Sequence, residues 1–189
     1  MIFRLLSFVL IILFSISCSG DYSPKPRGYF RIDFPERSYS LYDGDCPYTF
    51  EYPSFASISA DNSHIASPCW INIDFPGFRG TLHISYMEAD GDVTGFMEDS
   101  RKLVFRHTIK ADAIDEHLFI NEENNVYGTL YDIKGNSASG LQFYLTDSSR
   151  HFFRGALYFN VQPNWDSLSP VIAYFREDIL YLIESFEWK

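Results

Sequence analysis

The chain has 189 residues, with 25 acidic and 15 basic side chains and a formal net charge of −10 at pH 7. An acidic surface repels phosphate backbones, so this charge argues against nucleic acid binding. Aromatic residues make up 18% of the sequence, which is atypical of a disordered chain and sufficient for a substantial core. After its first 17 residues, the chain has the length of one domain.

Residues 1–17 have the pattern of a signal peptide. Arg4 is the only charged residue, and the stretch from Leu5 to Ile16 is almost wholly apolar. This stretch is shorter than the roughly 20 apolar residues that a membrane-spanning helix needs. Small Ser15 and Ser17 precede Cys18, and a cysteine directly after a cleavage site is the residue that receives lipid. We therefore predict lipidation at Cys18, with an uncleaved membrane anchor as the alternative.

The other two cysteines are expected to pair. If Cys18 carries lipid, Cys46 and Cys69 remain as one pair in an oxidising compartment, where disulfides persist. Their disulfide would close a loop of 24 residues. On the chain-entropy model such a loop stabilises the fold by roughly 3 kcal/mol. Two buried free thiols are the alternative.

Residues 18–27 predict a short lipidated tether, and residues 28–189 a single α+β domain. Basic and aromatic residues concentrate where the two meet, at Lys25, Arg27, Tyr29 and Arg31. In one interpretation, Lys25 and Arg27 face lipid headgroups while Arg31 pairs with Asp33 across a sheet. In the other, the segment is a partner-binding surface, because arginine and tyrosine are enriched at interface hot spots.

Alternation of apolar and polar residues with a period of two predicts strands along the mature chain. Pro76 and Gly77 separate two of these stretches and predict a hairpin. Short polar connections between the last three predict an antiparallel meander. The predicted strands cover Gly28 to Phe34, Trp70 to Phe75, Thr81 to Tyr86, Val126 to Ile133, Leu141 to Thr146 and Phe152 to Val161.

Two segments have helical spacing instead. The first runs from Val93 to Thr108, and the second begins with Ser169 as the N-cap and Pro170 at the first helical position. Apolar residues recur along one face of the second helix, which must cover a sheet. The predicted fold class is therefore α+β, a mainly antiparallel sheet with helices packed on it. The two stripes comprise Phe96, Met97, Leu103, Val104 and His107 in the first helix, and Ile172, Phe175, Ile179, Leu182, Ile183 and Phe186 in the second.

The sequence has no motif of a catalytic or metal site. The five histidines lack metal-ligand spacing, and neither a Gly-x-Ser-x-Gly elbow nor a phosphate-binding glycine loop occurs. We predict no metal, no cofactor and no enzymatic activity. Carboxylates cluster between the first helix and the meander, but without the spacing of a calcium loop, which favours a solvated surface over a bound cation. The cluster comprises Asp112, Asp115, Glu116, Glu122 and Glu123.

A second hypothesis is a small-ligand-binding or hydrolytic protein with a pocket lined by aromatic side chains. The candidate lining residues are Tyr127, Tyr131, Phe143 and Tyr144. A deep pocket with converging polar groups would favour this hypothesis, whereas a filled sandwich would favour protein docking.

The order of the elements resembles the family of the photosystem protein PsbP and the nuclear transport factor Mog1. The local similarities are a strand that contains glycine, Val126-Tyr-Gly-Thr-Leu130, and the ending Ser185-Phe-Glu-Trp188 after the last helix. This resemblance implies a PsbP/Mog1-like sandwich and carries no function.

Ordered peptide blocks along the mature chain resemble the gliding motility lipoprotein family GldD of the Bacteroidetes. They begin with Pro24-Lys-Pro-Arg-Gly-Tyr-Phe-Arg-Ile-Asp-Phe-Pro35, and continue with Cys46-Pro-Tyr48, Phe50-Glu-Tyr-Pro53 and Cys69-Trp-Ile-Asn-Ile73. The resemblance implies a cell-envelope lipoprotein, anchored by lipid to a membrane and facing the periplasm, that is needed for gliding. It also implies partners among the gliding and type IX secretion proteins, and no known catalytic residue.

Overall fold

A computed structural model describes residues 31–189, which form two antiparallel sheets and two α-helices. The predicted signal peptide, Cys18 and the tether of residues 18–27 lie outside this range. The strands are β1 (Tyr39–Tyr42), β2 (Tyr48–Pro53), β3 (Ser57–Ala60), β4 (Ile71–Phe75), β5 (Gly80–Glu88), β6 (Ala111–Asn121), β7 (Val126–Gly135), β8 (Ser139–Thr146), β9 (His151–Phe159) and β10 (Glu187–Trp188). The helices are α1 (Thr94–Phe105) and α2 (Trp165–Glu184), and a 3₁₀-helix (Arg106–Ile109) follows α1.

The seven-stranded sheet has the order β3-β4-β5-β9-β8-β7-β6, and the three-stranded sheet the order β1-β2-β10. Consecutive pairing of β7, β8 and β9 confirms the predicted meander, and pairing of β4 with β5 confirms the hairpin at Pro76 and Gly77. The α+β class is likewise confirmed.

The face of the large sheet that packs against α2, here called the inner face, is apolar over most of its width, with polar residues such as Asp132 near the β6 edge. Its buried side chains meet the buried stripe of α2, which includes Phe175, Ile179 and Leu182 as predicted. Phe175 is fully buried, with its ring centroid 4.3 Å from that of Phe75. The inner-face side chains include Ile71, Ile73, Phe75, Leu82, Ile84, Leu130, Leu141, Phe143, Leu145, Phe153 and Leu157.

The small sheet covers the rest of the inner face beside α2. Tyr48 and Phe50 of β2 pack on Phe153 of β9, with ring centroids 4.8 and 6.0 Å away. A disulfide joins Cys46, just before β2, to Cys69, just before β4, with their Cα atoms 5.5 Å apart. The predicted pair is therefore formed, and it fastens the small sheet to the large one.

The opposite face, here called the outer face, is covered only in part. Val104 of α1 packs on Tyr131, Tyr144 and Phe152, a second and smaller core. Leu103, which the helical spacing assigned to the same stripe, is instead exposed. Because α1 has only 12 residues, it covers a few strands of the sheet and leaves the rest of the outer face to solvent.

The start of α2 differs from the prediction. The helix begins at Trp165, with Asn164 as its N-cap, so Ser169 and Pro170 lie inside it. The side chain of Asn136, in the turn between β7 and β8, accepts a hydrogen bond of 2.8 Å from the N–H of Trp165. This contact from a distant part of the chain satisfies a helix-end donor, which allows the helix to start before its proline.

The predicted strand from Gly28 to Phe34 is wrong in its described part, because residues 31–38 form no strand. The sequence reading also missed β6, which contains three members of the acidic cluster. Its sequence Ala111-Asp-Ala-Ile-Asp-Glu-His-Leu-Phe-Ile-Asn121 has no clean alternation, because the strand is solvent-exposed on much of both faces.

Candidate docking surface

The segment that leads from the tether into the domain, residues 31–39, is held against the outside of α2. Phe34 stacks on Tyr174, with ring centroids 4.4 Å apart, and the Tyr174 hydroxyl donates a 2.9 Å hydrogen bond to the carbonyl of Pro35. Tyr39 stacks on Tyr181 at 3.9 Å. These contacts fix where the chain enters the folded domain.

Asp178 on α2 is the charged centre of this attachment. The residue is only 2% exposed, and it accepts hydrogen bonds from Nε of Arg37 at 3.2 Å and from the hydroxyl of Tyr39 at 3.0 Å. Burial raises the pKa of the Asp178 carboxyl, although its two donors act in the opposite direction. Burial and the Asp178 carboxylate together raise the pKa of Tyr39 to about 12. Two hydrogen bonds to Oδ1 therefore offset only part of the cost of burying this carboxylate, because its Oδ2 is buried without a hydrogen-bond partner.

Of the four predicted partner-binding residues, only Arg31 lies in the described range. It forms an exposed ion pair with Asp33, with Nε 2.9 Å from the carboxylate oxygen, but not across a sheet as expected. Lys25, Arg27 and Tyr29 lie outside the described residues, as does Cys18. Arg31 lies 13 positions after Cys18, and at about 3.3–3.6 Å per position this stretch of chain reaches roughly 45 Å at most.

The longest exposed edge of the large sheet is β6. It has 11 residues and pairs with β7 alone among the described strands. Leu118 and Ile120 project from it on the outer-face side, opposite Thr129 and Tyr127, and they are 80% and 65% exposed. An edge strand presents unpaired N–H and C=O groups that can pair with another chain.

Ion pairs fix two of the carboxylates on β6. Oδ2 of Asp115 lies 2.6 Å from Nζ of Lys134 on β7, and Oε1 of Glu116 lies 3.3 Å from Nη2 of Arg101 on α1. The hydrogen bond from Lys134 lowers the pKa of the Asp115 carboxyl. The predicted acidic cluster is therefore partly a set of cross-element pairs that support the strand from its paired side, leaving its free edge open.

The other edge of the same sheet is much smaller. Strand β3 has four residues, Ser57-Ile-Ser-Ala60, and pairs with β4. Short, polar edge strands are a common protection against unwanted pairing. The chain thus protects one edge of the sheet and leaves the other long and partly apolar.

A groove of about 460 Å³ lies between the first turns of α2 and strands β6 and β7. Ile172 and Trp165 contribute its apolar part. On its polar side, Oδ2 of Asp132 lies 2.9 Å from Nε of Arg176 and 2.9 Å from Nε2 of His117. Asp132 thus contacts a side chain of α2 and one of β6, and its ion pair with Arg176 braces α2 on the sheet.

The aromatic residues proposed to line a pocket do not converge. Phe143 is fully buried on the inner face, whereas its neighbour Tyr144 points to the outer face and packs on Phe152. Tyr131 is buried beside Tyr144 in the smaller core, and Tyr127 lies further along the outer face. Successive residues of a strand point to opposite faces, so one pocket cannot receive all four.

Among residues 31–189, no group of three or more histidine, cysteine or carboxylate side chains is placed to hold a metal ion. Within the same range, neither α-helix combines the length and the apolar character required to span a membrane.

Comparison with known proteins gives a family match and a likeness to solved structures. The family model described as gliding motility lipoprotein GldD matches residues 19–188. No curated protein matches the chain. The solution structure of cyanobacterial PsbP (CyanoP) from Synechocystis sp. PCC 6803 is similar to 93% of this chain and 99% of its own, at 14% sequence identity and a TM-score of 0.44.

Proposed function

Because the chain belongs to the gliding motility lipoprotein GldD family, and is thus a lipoprotein of the cell envelope, we propose that it acts without catalysis, as a docking component. The proposed partner is an envelope protein of the gliding and type IX secretion machinery, and the proposed contact is the free edge of β6. Lipid on Cys18 would hold the domain at a membrane surface that faces the periplasm.

The observation that carries the docking proposal is the exposure of two large apolar side chains, Leu118 and Ile120, on an edge strand of 11 residues. Natural proteins usually place charges or proline at such edges, or shorten them. An extended partner segment that adds a strand would satisfy the free backbone groups of β6, and its side chains would cover these two residues.

Charge indicates the chemistry of the partner strand. Exposed Asp112 lies at the start of β6, and Glu122 and Glu123 follow its end. The whole chain carries a formal charge of −10. The segment that fits is therefore an extended strand in which apolar residues alternate with lysine or arginine, because such a strand pairs its charges with the acidic ends of β6.

The lipid would contribute through confinement. A domain tethered within about 45 Å of a membrane meets partners in that membrane at a raised effective concentration, so a modest edge contact is sufficient. Replacement of Cys18 by alanine should release the protein into the soluble periplasmic fraction and abolish gliding. Gliding at the normal rate with a released protein would contradict the role of the anchor.

The edge contact is tested with the double variant Leu118→Lys plus Ile120→Lys in the lipidated, full-length protein. Both side chains are exposed, so we expect thermal stability close to the wild type, within about 0.5 kcal/mol. Crosslinking in intact cells followed by mass spectrometry should lose the partner that the wild type captures, and gliding should be impaired.

The matched control is Leu41→Lys on β1, a leucine that is 61% exposed on a strand of the small sheet. It introduces one lysine at an exposed apolar position away from β6 and should retain both the crosslinked partner and gliding. If the β6 double variant retains the same partner and glides like the control, the proposed contact is wrong, while the family membership is unaffected.

A further inference from the structure

A half-buried arginine on the outer face lacks the counter-charge that its burial calls for. Arg154 lies on β9, near the middle of the large sheet, directly opposite Ser85 of β5 and Tyr144 of β8. Its Nη2 donates a 2.6 Å hydrogen bond to Oε1 of Gln142, while its Nε is buried without a hydrogen-bond partner. Burial lowers the pKa of the Arg154 guanidinium from its ordinary value.

The other arginines of residues 31–189 are either paired or solvated. Five of them lie within 4.0 Å of a carboxylate, namely Arg31, Arg37, Arg101, Arg150 and Arg176. Arg79 and Arg106 are exposed to water. Arg154 is half-buried and forms no ion pair within the described range. A charge removed from water without a partner costs stability. The chain has 25 acidic residues, yet no carboxylate of the described range pairs with Arg154.

The neighbours of Arg154 hold it in place without neutralising it. The Gln142 amide turns its oxygen to Arg154 and its nitrogen to Nε2 of His107, 3.0 Å away on the 3₁₀-helix. Since the amide nitrogen can only donate, Nε2 of His107 accepts, and the ring is neutral with its proton on Nδ1. Burial, followed by the charge of Arg154, lowers the pKa of His107, in agreement with a neutral ring.

One side of this cluster is open to solvent. Helix α1 and the 3₁₀-helix cover the β7 and β8 side, whereas Ser85 and Tyr158 beside Arg154 are only partly buried and His83 is exposed. The imidazole of His83 lies 5.8 Å from the Tyr158 ring, along the same uncovered strip. A ligand on the outer face can therefore approach the guanidinium from the β5 side.

We propose that Arg154, positioned by Gln142 and His107, is a binding site for a carboxylate group. Nε is buried and one N–H of Nη2 is donated to Gln142, which leaves the N–H groups of Nη1 and the second N–H of Nη2 to bind the two oxygens of one carboxylate. The cluster carries a single positive charge, because His107 is neutral, and one charge matches a monoanion better than a phosphate dianion. The bound carboxylate would supply the negative charge that no carboxylate of the described residues places beside Arg154. This site is separate from the β6 edge and does not depend on docking there.

The test uses the ¹⁵N-labelled lipoprotein in detergent micelles, titrated with sodium acetate at constant ionic strength against sodium chloride. The Nε–Hε signal of Arg154 should shift saturably with acetate but not with chloride. The signal of Arg176, which is already paired with Asp132, serves as the internal control and should not follow. Equal, non-saturating shifts for both arginines, or for both salts, would overturn the proposal.

Two variants separate binding from structural support. Because both lack the Nε–Hε group, their response to acetate is followed at the side-chain amide of Gln142, which contacts Arg154 in the wild type. Arg154→Lys retains the charge but loses the paired N–H donors of the guanidinium. It should bind acetate roughly tenfold more weakly, because about one charge-assisted hydrogen bond is lost. Arg154→Met removes the unpaired charge and should abolish the acetate response without lowering the melting temperature. A large drop in the melting temperature of Arg154→Met, or an undiminished acetate affinity in Arg154→Lys, would overturn the proposal.

Further titrations identify the kind of ligand. Inorganic phosphate at pH 7.5 should bind more weakly than acetate, and stronger phosphate binding would overturn the assignment to a carboxylate. The peptide N-acetyl-Gly-Glu-Gly-amide is then compared with acetate. Tighter binding of the peptide supports a carboxylate presented by a protein, and equal or weaker binding supports a free small acid.

Discussion

The two faces of the seven-stranded sheet are built on opposite principles. The inner face is covered by α2 and the small sheet and contains almost wholly apolar side chains. The outer face has only α1 and the 3₁₀-helix over it, and carries polar and charged residues such as Gln142 and Arg154 on central strands. One face therefore maintains the fold, while the other is free to hold groups that cost stability. Both surfaces proposed to bind lie on or beside the outer face.

The strongest test of this contrast is a truncation on each face. Phe153→Ala removes a fully buried ring that contacts Tyr48, Phe50 and Phe186. We expect a loss of about 3–5 kcal/mol in the free energy of unfolding, measured by urea denaturation. His83→Ala, on the exposed outer face of β5, should change it by less than about 0.5 kcal/mol. Similar losses in the two variants would refute the division of roles between the faces.

The same contrast explains how much of the fold the sequence allowed one to predict. The meander and the buried stripe of α2 were predictable, because inner-face burial imposes regular spacing on apolar residues. Strand β6 was not, since it is half-exposed at an edge and retains little pattern. The start of α2 depends on Asn136, a contact between residues 29 positions apart that no local rule contains.

The candidate surfaces were harder to predict than the fold. The sequence drew attention to Lys25, Arg27, Tyr29 and Arg31 because basic residues concentrate there. Arg154 did not stand out, because an arginine in an alternating strand looks like an ordinary solvent-facing residue. Only the position of α1 and the 3₁₀-helix shows that it is half-buried without a carboxylate. Likewise, the exposure of Leu118 depends on β6 being the last strand of the sheet.

Removal of the disulfide measures how much the link between the two sheets contributes to stability. Cys46 and Cys69 join the small sheet to the large one, so their replacement by serine should lower the free energy of unfolding by roughly 3 kcal/mol. For a domain of this size, that loss corresponds to a fall of about 6–12 °C in the melting temperature. Calorimetry of the Cys46→Ser plus Cys69→Ser variant provides the measurement. Addition of a reducing agent should lower the melting temperature of the wild type but not that of the variant.

The smallest expected effect concerns the outer face and its response to pH. Burial and the charge of Arg154 hold the pKa of His107 below its ordinary value, which is about 6.5 in an unfolded chain. Below that pH the unfolded chain binds more protons than the folded protein, so the contribution of His107 to stability is complete above about pH 6.5 and decreases as the pH falls. His107→Gln should therefore flatten the dependence of the melting temperature on pH between about 5 and 7.

Subtracting the variant's curve from that of the wild type removes the contributions of other groups, including Asp178, whose raised pKa acts in the opposite sense. If the two curves stay parallel through this range, His107 is not held neutral, and the single positive charge assigned to the Arg154 cluster is wrong.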